Sequence, residues 1–286
     1  MPELPEVEVV RRDLDPVVVG RSIVAVEVGR DRAVRRDASI PAYVDALAGR
    51  RVARTDRVGK FLLVHLDGGG DGDGGRPDVV IVHLGMSGQL RTAATAAEPR
   101  LPHTHVVWTL EQGAEVRFVD PRTFGATWTD RTGPDGRPTS MAHLGPDALA
   151  AGGDPEVMGR ALAGRRVAVK LRLMDQTAIA GLGNIYTDEI LFRAGVAPHR
   201  PAGSLTDVEV AAVAAATGAI LPAAIAARGS SLADAQYVDG TGRPGAYQEQ
   251  HAVHAKAGTP CPECGRPLAR LKLGGRSATF CTTCQA

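Results

Sequence analysis

Short apolar runs separated by turn-forming residues dominate residues 1–130, which is the pattern of a β-rich domain. A helix is predicted first, over 3–14 (ELPEVEVVRRDL), because Pro5 falls in its first turn and acidic residues precede Arg11 and Arg12. Runs rich in β-branched and aromatic residues then predict strands at 22–28, 61–66, 79–84, 105–110, 115–120 and 126–130. Strands do not alternate with helices here, so the pattern favours a sandwich or barrel over a parallel sheet.

The pattern then changes along the chain. Residues 131–145 (RTGPDGRPTSMAHLG) are rich in turn formers and predict a linker. Helical segments follow over 146–228, and the last of them is a long Ala-rich helix that starts with Thr206 and Glu209, the pair of a capping box. Residues 229–250 are again Gly-rich and predict a loop region. The pattern therefore predicts an α+β protein with a β domain, a helical domain and a small C-terminal hairpin.

Composition and charge narrow the class of protein. The chain has 286 residues and a formal net charge of +1, so its overall charge does not indicate a nucleic-acid partner and any basic surface must be local. No uninterrupted apolar run reaches the length that spans a membrane, and the first residues lack the apolar core of a signal peptide. We therefore expect a cytoplasmic protein with no membrane contact. We also expect a monomer without a small-molecule cofactor.

The cysteines form two Cys-x-x-Cys pairs in the segment 251–286. They are Cys261, Cys264, Cys281 and Cys284. This spacing can place four thiolates tetrahedrally around one zinc ion, whereas disulfides or free thiols are the alternative that a reduced cytosol disfavours. Four protein ligands leave no coordination position for water, so the predicted Zn²⁺ is structural. It is expected to support a hairpin in which Arg276 follows two glycines.

A second candidate site for an anion lies in residues 170–195 (KLRLMDQTAIAGLGNIYTDEILFRAG). This segment predicts two helices joined by residues 180–183, with Asn184 as the N-cap of the second helix. The N–H groups of a helix start beside flexible glycines can bind phosphate, although a tight turn without a ligand is the alternative. The predicted hairpin carries Arg270, Lys272 and Arg276. Together with this basic hairpin, the helix start favours binding to a nucleic-acid backbone.

Six segments in order along the chain resemble one known family. They are MPELPEVE (1–8), DRVGKFLLVHL (56–66), HLGMSG (83–88), DPRTFG (120–125), LMDQTAIAGLGNIY (173–186) and the four-cysteine tail with LGGRS (273–277). In these motifs the chain resembles the formamidopyrimidine-DNA glycosylase (Fpg, MutM) family. The resemblance implies an N-terminal antiparallel β-sandwich, a helix-two-turn-helix domain with a four-cysteine zinc finger, and damaged double-stranded DNA held between the two domains.

The resemblance also implies a DNA glycosylase of base excision repair that is an AP lyase as well. The family removes oxidised purines, chiefly 8-oxoguanine and formamidopyrimidines, and then nicks the strand by β,δ-elimination. This chemistry calls for an amine that attacks the sugar C1′ and forms a Schiff base. An α-amino group, with a pKa of about 7.7–8.0 in peptides, is more often neutral than a lysine. By the resemblance Pro2 is this nucleophile after removal of Met1, which would otherwise hold the Pro2 nitrogen in an amide.

Further roles are implied for residues that match family positions. Glu3 would shuttle protons to the sugar and Glu6 would be a second carboxylate near the base, although charge pairing at the helix start is the alternative for Glu6. Lys60 would contact the phosphate beside the lesion and assist catalysis. His83, Asn184 and Arg276 match phosphate contacts, and the family credits the position of Arg276 with assisting δ-elimination.

Three more residues match side chains that fill the gap left by a flipped nucleotide. Met86 is one, and Arg122 and Phe124 are the others, with Arg122 facing the orphaned base and favouring cytosine through its acceptors. Without the family match, Met86 and Phe124 would be interpreted as core residues. Lesion recognition is implied for a loop at about 229–248, and no single side chain there is assigned.

The chain departs from the family pattern at three places. Thr123 occupies a position where the family often has a second arginine, residues 254–256 (His-Ala-Lys) replace a usual Tyr-Gly-Arg, and the insert 67–78 has no recognised counterpart. Two other functions stay open: an endonuclease VIII-type glycosylase for oxidised pyrimidines, and a catalytically silent relative that binds damaged DNA. The first usually begins PEGPE and lacks the gap-filling residues. The second is disfavoured by an intact Pro2, Glu3 and Lys60.

Overall fold

The computed structural model describes residues 1–68, 76–231 and 237–286, and the chain forms two compact units. Unit 1 comprises Met1–Ala142 and Arg228–Ala246, and unit 2 comprises His143–Ala227 and Tyr247–Ala286. Much of the predicted loop at 229–250 thus groups with the N-terminal unit. The finer predicted division of the chain stays a prediction, and parts of the insert 67–78 and of the predicted loop lie outside the described residues.

Unit 1 contains two four-stranded antiparallel sheets that share one hydrophobic core with two helices. The helices are α1 (Leu4–Val18) and α2 (Ile40–Leu47), and the strands are β1 (Ile23–Val28), β2 (Val52–Val58), β3 (Phe61–Leu66), β4 (Val79–His83), β5 (Gln89–Ala93), β6 (Thr104–Leu110), β7 (Glu115–Val119) and β8 (Ala126–Asp130). The strand orders are β1-β6-β7-β5 and β2-β3-β4-β8. The predicted antiparallel sandwich is confirmed, since buried residues of both sheets join in the same core.

Helix α1 runs four residues beyond its predicted end. It continues to Val18 although Pro16 lies in its last turn. Leu14 and Val18 are buried in the core of unit 1, so tertiary packing stabilises a final turn that local propensity alone disfavours. The prediction of this boundary was wrong because the burial of Val18 has no signal in the local sequence.

Unit 2 is helical and ends in a hairpin. Its helices are α3 (Ala148–Ala151), α4 (Pro155–Leu162), α5 (Val169–Met174), α6 (Asn184–Arg193) and α7 (Asp207–Ala226), and its strands are β9 (Ala269–Leu273) and β10 (Arg276–Phe280). The predicted capping box is confirmed, because Thr206 Oγ1 accepts from Glu209 N at 3.3 Å and Glu209 Oε2 accepts from Thr206 N at 2.8 Å. Among the described residues, α7 has the length and mean hydropathy (1.9) of a membrane span, yet it packs against α3, α4 and α6 of its own unit.

Candidate active site and metal centre

The start of α1 holds the first candidate residues in a fixed backbone. Glu3 precedes the helix in an extended conformation (φ −106°, ψ −167°), and Pro5 follows in the first turn, where a missing N–H costs no hydrogen bond. Glu6 Oε2 accepts from the Glu3 N–H at 2.8 Å. Pro2, Glu3 and Glu6 are all buried. The backbone at Glu3 is therefore held by the helix that it begins.

Glu6 also reaches the distant segment that belongs to unit 1. Its second oxygen, Oε1, accepts from the N–H of Ser230 at 2.8 Å. The neighbouring Gly229 has a φ of +78°, and a Cβ there would lie 2.8 Å from Glu6 Oε1, so only glycine fits this approach. One carboxylate thus joins the start of α1 to the stem of the predicted lesion-recognition loop, whose residues 232–236 lie outside the described part of the chain.

Lys60 occupies a tight turn between β2 and β3. Val58 pairs with Phe61, so the turn has two residues, Gly59 and Lys60. Gly59 has a φ of +57°, which suits the first central position of a hairpin turn. The Lys60 side chain is 7% exposed, so it is held within unit 1 and does not trail into solvent.

A buried ion pair connects this turn to α1. Arg57 Nε donates to Glu8 Oε2 at 3.2 Å, and Arg57 Nη1 donates to the Gly59 carbonyl at 2.9 Å. Burial by itself would raise the pKa of Glu8, but hydrogen bonds from Arg11 and Arg12 hold that pKa below its usual value. Glu8 is therefore ionised when it binds Arg57. Sequence reasoning did not identify this pair, because nothing in the local spacing relates a helix residue to a hairpin residue 49 positions away.

His83 ends β4 beside the Lys60 turn. Its ring centroid lies 4.9 Å from that of Phe61. Burial, reinforced by the nearby positive charges of Lys60, Arg35 and Arg36, lowers the pKa of His83 to about 4. The imidazole is consequently neutral at pH 7 and can donate a hydrogen bond to an anion without carrying a charge of its own.

The depressed pKa of His83 predicts a stability effect at acid pH. The unfolded chain takes up a proton on this residue below about pH 6.5, whereas the folded chain does not until about pH 4, so the free energy of unfolding falls across this window. His83 should account for about 2 kcal/mol of the loss between pH 7 and pH 5. Urea unfolding of His83→Gln at both pH values should show a loss smaller by that amount. The exposed His143→Gln serves as the control, and an equal loss in the His83 variant would contradict the prediction.

The candidate gap-filling residues lie on two loops of unit 1. Met86 is 38% exposed and Phe124 is 43% exposed, so the alternative interpretation of these residues as core is wrong. The Arg122 guanidinium lies 4.7 Å from the centroid of the Phe124 ring. Thr123 between them is buried with a φ of +53°, and its carbonyl accepts from Arg35 Nη2 at 2.8 Å. Arg35, which sequence reasoning missed, thus supports the loop at the position where the family often has a second arginine.

In unit 2, hydrogen bonds from the side chain of Gln176 hold the turn before α6. Gln176 Nε2 donates to the carbonyls of Met174 and Leu182, and its Oε1 accepts from Gly181 N. The prediction of Asn184 as the N-cap was wrong by one residue: Gly183 is the cap, and Asn184 is the first helical residue. Within the described part of the chain the buried Oδ1 atom of Asn184 has no hydrogen-bond partner.

Arg276 follows a two-residue hairpin turn in unit 2. Leu273 pairs with Arg276, and the turn residues Gly274 and Gly275 have φ values of +51° and +77°. Positive φ at both central positions is the type I′ geometry that glycine accepts without strain. Arg276 itself is exposed, so its guanidinium is open to a ligand.

A buried polar cluster joins this hairpin to α6. Lys170 Nζ donates to Asp188 Oδ1 at 2.5 Å and to the Ser277 carbonyl at 2.8 Å. His254 Nδ1 lies 2.8 Å from Asp188 Oδ2, and Glu189 accepts from the His254 backbone N–H at 2.7 Å. The departure from Tyr-Gly-Arg at 254–256 therefore places a histidine on the carboxylate that holds Lys170.

The four cysteine sulfurs come together at one point. All of them lie within 4.8 Å of one another, and the Cys261–Cys284 and Cys264–Cys281 Sγ distances are 3.9 and 3.5 Å. A tetrahedral ion with metal–sulfur bonds of about 2.3 Å needs sulfurs about 3.8 Å apart. The cluster therefore fits a structural metal ion, and a donor set of four thiols is typical of a closed site.

Comparisons with known proteins agree with this architecture. Family models match residues 1–127 (Formamidopyrimidine-DNA glycosylase N-terminal domain), 144–236 (Formamidopyrimidine-DNA glycosylase H2TH domain) and 258–286 (Zinc finger found in FPG and IleRS). The formamidopyrimidine-DNA glycosylase of Moorella thermoacetica is 44% identical over 95% of each chain.

Solved structures agree as well. The MutM (Fpg) protein from Thermus thermophilus has a TM-score of 0.82 at 38% identity, with 99% of this chain and 98% of that chain covered. A MutM complex with carbocyclic 8-oxo-G containing DNA has a TM-score of 0.83 at 30% identity, with 99% of each chain covered. The sandwich, the helical unit and the four-thiol cluster define a DNA repair glycosylase of the helix-two-turn-helix class. The chain belongs to the formamidopyrimidine-DNA glycosylase family.

Proposed function

We propose that the protein is a bifunctional glycosylase and AP lyase that removes oxidised purines, chiefly 8-oxoguanine and formamidopyrimidines, from double-stranded DNA. One observation carries the proposal: the buried start of α1, with Pro2 and Glu3, lies in the same unit as the Lys60 turn and is tied to it through Glu8 and Arg57. The MutM relative solved with carbocyclic 8-oxo-G containing DNA supports this choice of substrate.

In the proposed reaction the lone pair of the Pro2 nitrogen attacks C1′ of the damaged nucleotide. The N-glycosidic bond breaks, and its electron pair leaves on the base, which takes up the proton that the Pro2 nitrogen releases after its attack. Glu3 delivers a proton to the ring oxygen, and the sugar opens to an iminium ion on Pro2. The Glu3 carboxylate then takes the C2′ proton and the 3′-phosphate leaves, a second elimination expels the 5′-phosphate, and water hydrolyses the remaining iminium to free Pro2. Glu6, through its bond to Glu3 N, would keep the acid in place.

The remaining candidate residues are proposed to bind the DNA. Lys60 and the neutral His83 would contact phosphates from unit 1, and Asn184 and Arg276 would do so from unit 2, with Arg276 also assisting δ-elimination. The exposed side chain of Arg276 and the position of Asn184 at the start of α6, where helix N–H groups can bind an anion, support these roles. Met86, Arg122 and Phe124 would fill the gap left by the flipped nucleotide, and their exposed side chains support that role.

The metal is proposed to be one Zn²⁺ held by the four cysteines, which supplies structure and no chemistry of its own. We further propose that the protein acts as a cytoplasmic monomer associated with the nucleoid through DNA. The ion is not proposed to take part in the reaction, because four protein ligands leave no coordination position for water or substrate.

Borohydride trapping on a panel of lesions tests the proposed function. The protein is incubated with duplexes that carry 8-oxoguanine opposite cytosine, thymine glycol opposite adenine, or no lesion, and the iminium is reduced to a stable adduct. We expect an adduct on 8-oxoguanine, at least about tenfold less on thymine glycol, and none on undamaged DNA. Trapping on thymine glycol alone would establish the endonuclease VIII-type alternative, and binding without any adduct would establish a silent relative.

A further inference from the structure

One buried carboxylate links the loop that carries Met86 to the loop that carries Arg122 and Phe124. Asp120 is completely buried at the end of β7. Its Oδ1 accepts from Ser87 Oγ at 2.5 Å and from the Arg122 N–H at 3.3 Å, and its Oδ2 accepts from the Gly125 N–H at 2.7 Å. Ser87 follows Met86 directly, so the same carboxylate binds the loop of Met86 and the loop of Arg122.

The backbones of the two loops also touch. Gly85 has a φ of +64°, and a Cβ there would lie 2.5 Å from the Gly125 nitrogen. A Cβ on Gly125 would lie 2.7 Å from the carbonyl oxygens of His83 and Leu84. Real Cβ atoms do not approach so closely, so both positions need glycine. The loops are therefore in van der Waals contact through their glycines and also share the hydrogen bonds of Asp120.

We propose that Asp120 and Ser87 are positioning residues that make Met86, Arg122 and Phe124 insert into DNA as one rigid wedge. The inference rests on the proposed function, because it concerns how the gap beside a flipped nucleotide is filled. The Arg122 guanidinium already lies on the Phe124 ring at 4.7 Å, and the carboxylate adds Met86 at a fixed spacing through Ser87. The distance between the Met86 loop and the Arg122 loop sets where Arg122 meets the orphaned base. The preference for cytosine over adenine opposite the lesion therefore depends on the hydrogen bond between Ser87 and Asp120.

Loss of the Ser87–Asp120 hydrogen bond should weaken insertion of the three side chains into duplex DNA and leave the lyase reaction itself unchanged. Removal of one partner of a buried hydrogen bond costs enough that the fraction of bound protein with all three side chains inserted should fall roughly tenfold. In Ser87→Ala we expect the ratio of the lyase rate on duplex abasic DNA to that on single-stranded abasic DNA to fall roughly tenfold, because a single strand has no stack to fill. The preference for 8-oxoguanine opposite cytosine over that opposite adenine should shrink, and 2-aminopurine beside the lesion should fluoresce less on binding.

Two variants at other hydrogen bonds of unit 1 serve as controls. Ser39→Ala removes a hydroxyl from the N-cap of α2 in the same unit, and Asp37→Asn changes a carboxylate that accepts from Thr129. Both should keep the duplex-to-single-strand ratio of the parent, with thermal melting used to match stability. Asp120→Asn should reproduce the effect of Ser87→Ala where it folds. A Ser87→Ala protein with the ratio and fluorescence of Ser39→Ala would overturn the inference, whereas a parent protein without lyase activity on single-stranded abasic DNA would overturn the proposed function instead.

Discussion

Protein in which Pro2 is not the first residue should bind abasic DNA and yet form no covalent adduct. With Met1 or any other residue attached, the Pro2 nitrogen belongs to a tertiary amide, whose lone pair is delocalised and cannot attack C1′. Met1 is 47% exposed whereas Pro2 is buried, so an additional N-terminal residue can extend into solvent. The bond from Glu3 N to Glu6 does not involve the Pro2 nitrogen, so the start of α1 should stay intact.

The experiment compares one chain before and after removal of an N-terminal tag that leaves Pro2 first. Both forms have the same residues from Pro2 onward, so each serves as the matched control of the other, and intact mass confirms the terminus. Borohydride trapping and the lyase rate on an abasic duplex should fall by on the order of a thousandfold or more in the tagged form. Affinity for a duplex with a tetrahydrofuran abasic analogue should stay within about threefold, since phosphate contacts dominate binding. Equal trapping by both forms would exclude Pro2 as the nucleophile and point to a lysine.

The strands that sequence could predict are the ones whose apolar runs are buried. β3 (FLLVHL) and β4 (VVIVH) have almost every side chain in the interior, so their composition alone identifies them. β2 (VARTDRV) and β5 (QLRTA) were missed, because only Val52 and Thr55 of β2 and only Leu90 and Ala93 of β5 are buried. Their charged residues resemble those of a loop when the neighbouring strands are unknown.

The residues of the candidate site could likewise be predicted only in part from the sequence. Motifs identified the candidate residues that would touch DNA, but not the residues that hold them. Glu6 and Ser230 are separated by 224 positions, and no spacing along one chain indicates such a contact. Asp120 lies inside the motif DPRTFG, yet its hydrogen bond to Ser87 is visible only in the folded chain. Asn184 is not the N-cap, because Gly183 takes the extended cap position and the helix begins at Asn184 itself.

Replacement of one zinc-site cysteine should abolish DNA binding while unit 1 stays folded. Cys281 is completely buried, and its sulfur accepts from the N–H groups of Thr283 and Cys284 at 3.4 Å. The hydrophobic core around it is small, and its buried residues in the described part of the chain are Phe192, Val253, Cys261, Leu268 and Cys281. So small a core cannot hold a hairpin without its metal. Unit 1 has a separate core shared by both sheets, so it does not depend on the cluster.

In Cys281→Ser we therefore expect bound zinc to fall from about one ion per chain to near zero, since three thiolates and a hydroxyl no longer make a stable structural site. Affinity for a lesion duplex should fall by about a hundredfold or more, because the hairpin that carries Arg276 would lose its support. Thr282→Ser changes an exposed neighbour and should retain both zinc and affinity. Metal analysis and filter binding give the two readouts, and limited proteolysis should still yield a protected fragment from unit 1. Full zinc stoichiometry in the cysteine variant would contradict the four-thiolate site, and tight DNA binding without zinc would show that the hairpin does not depend on the ion.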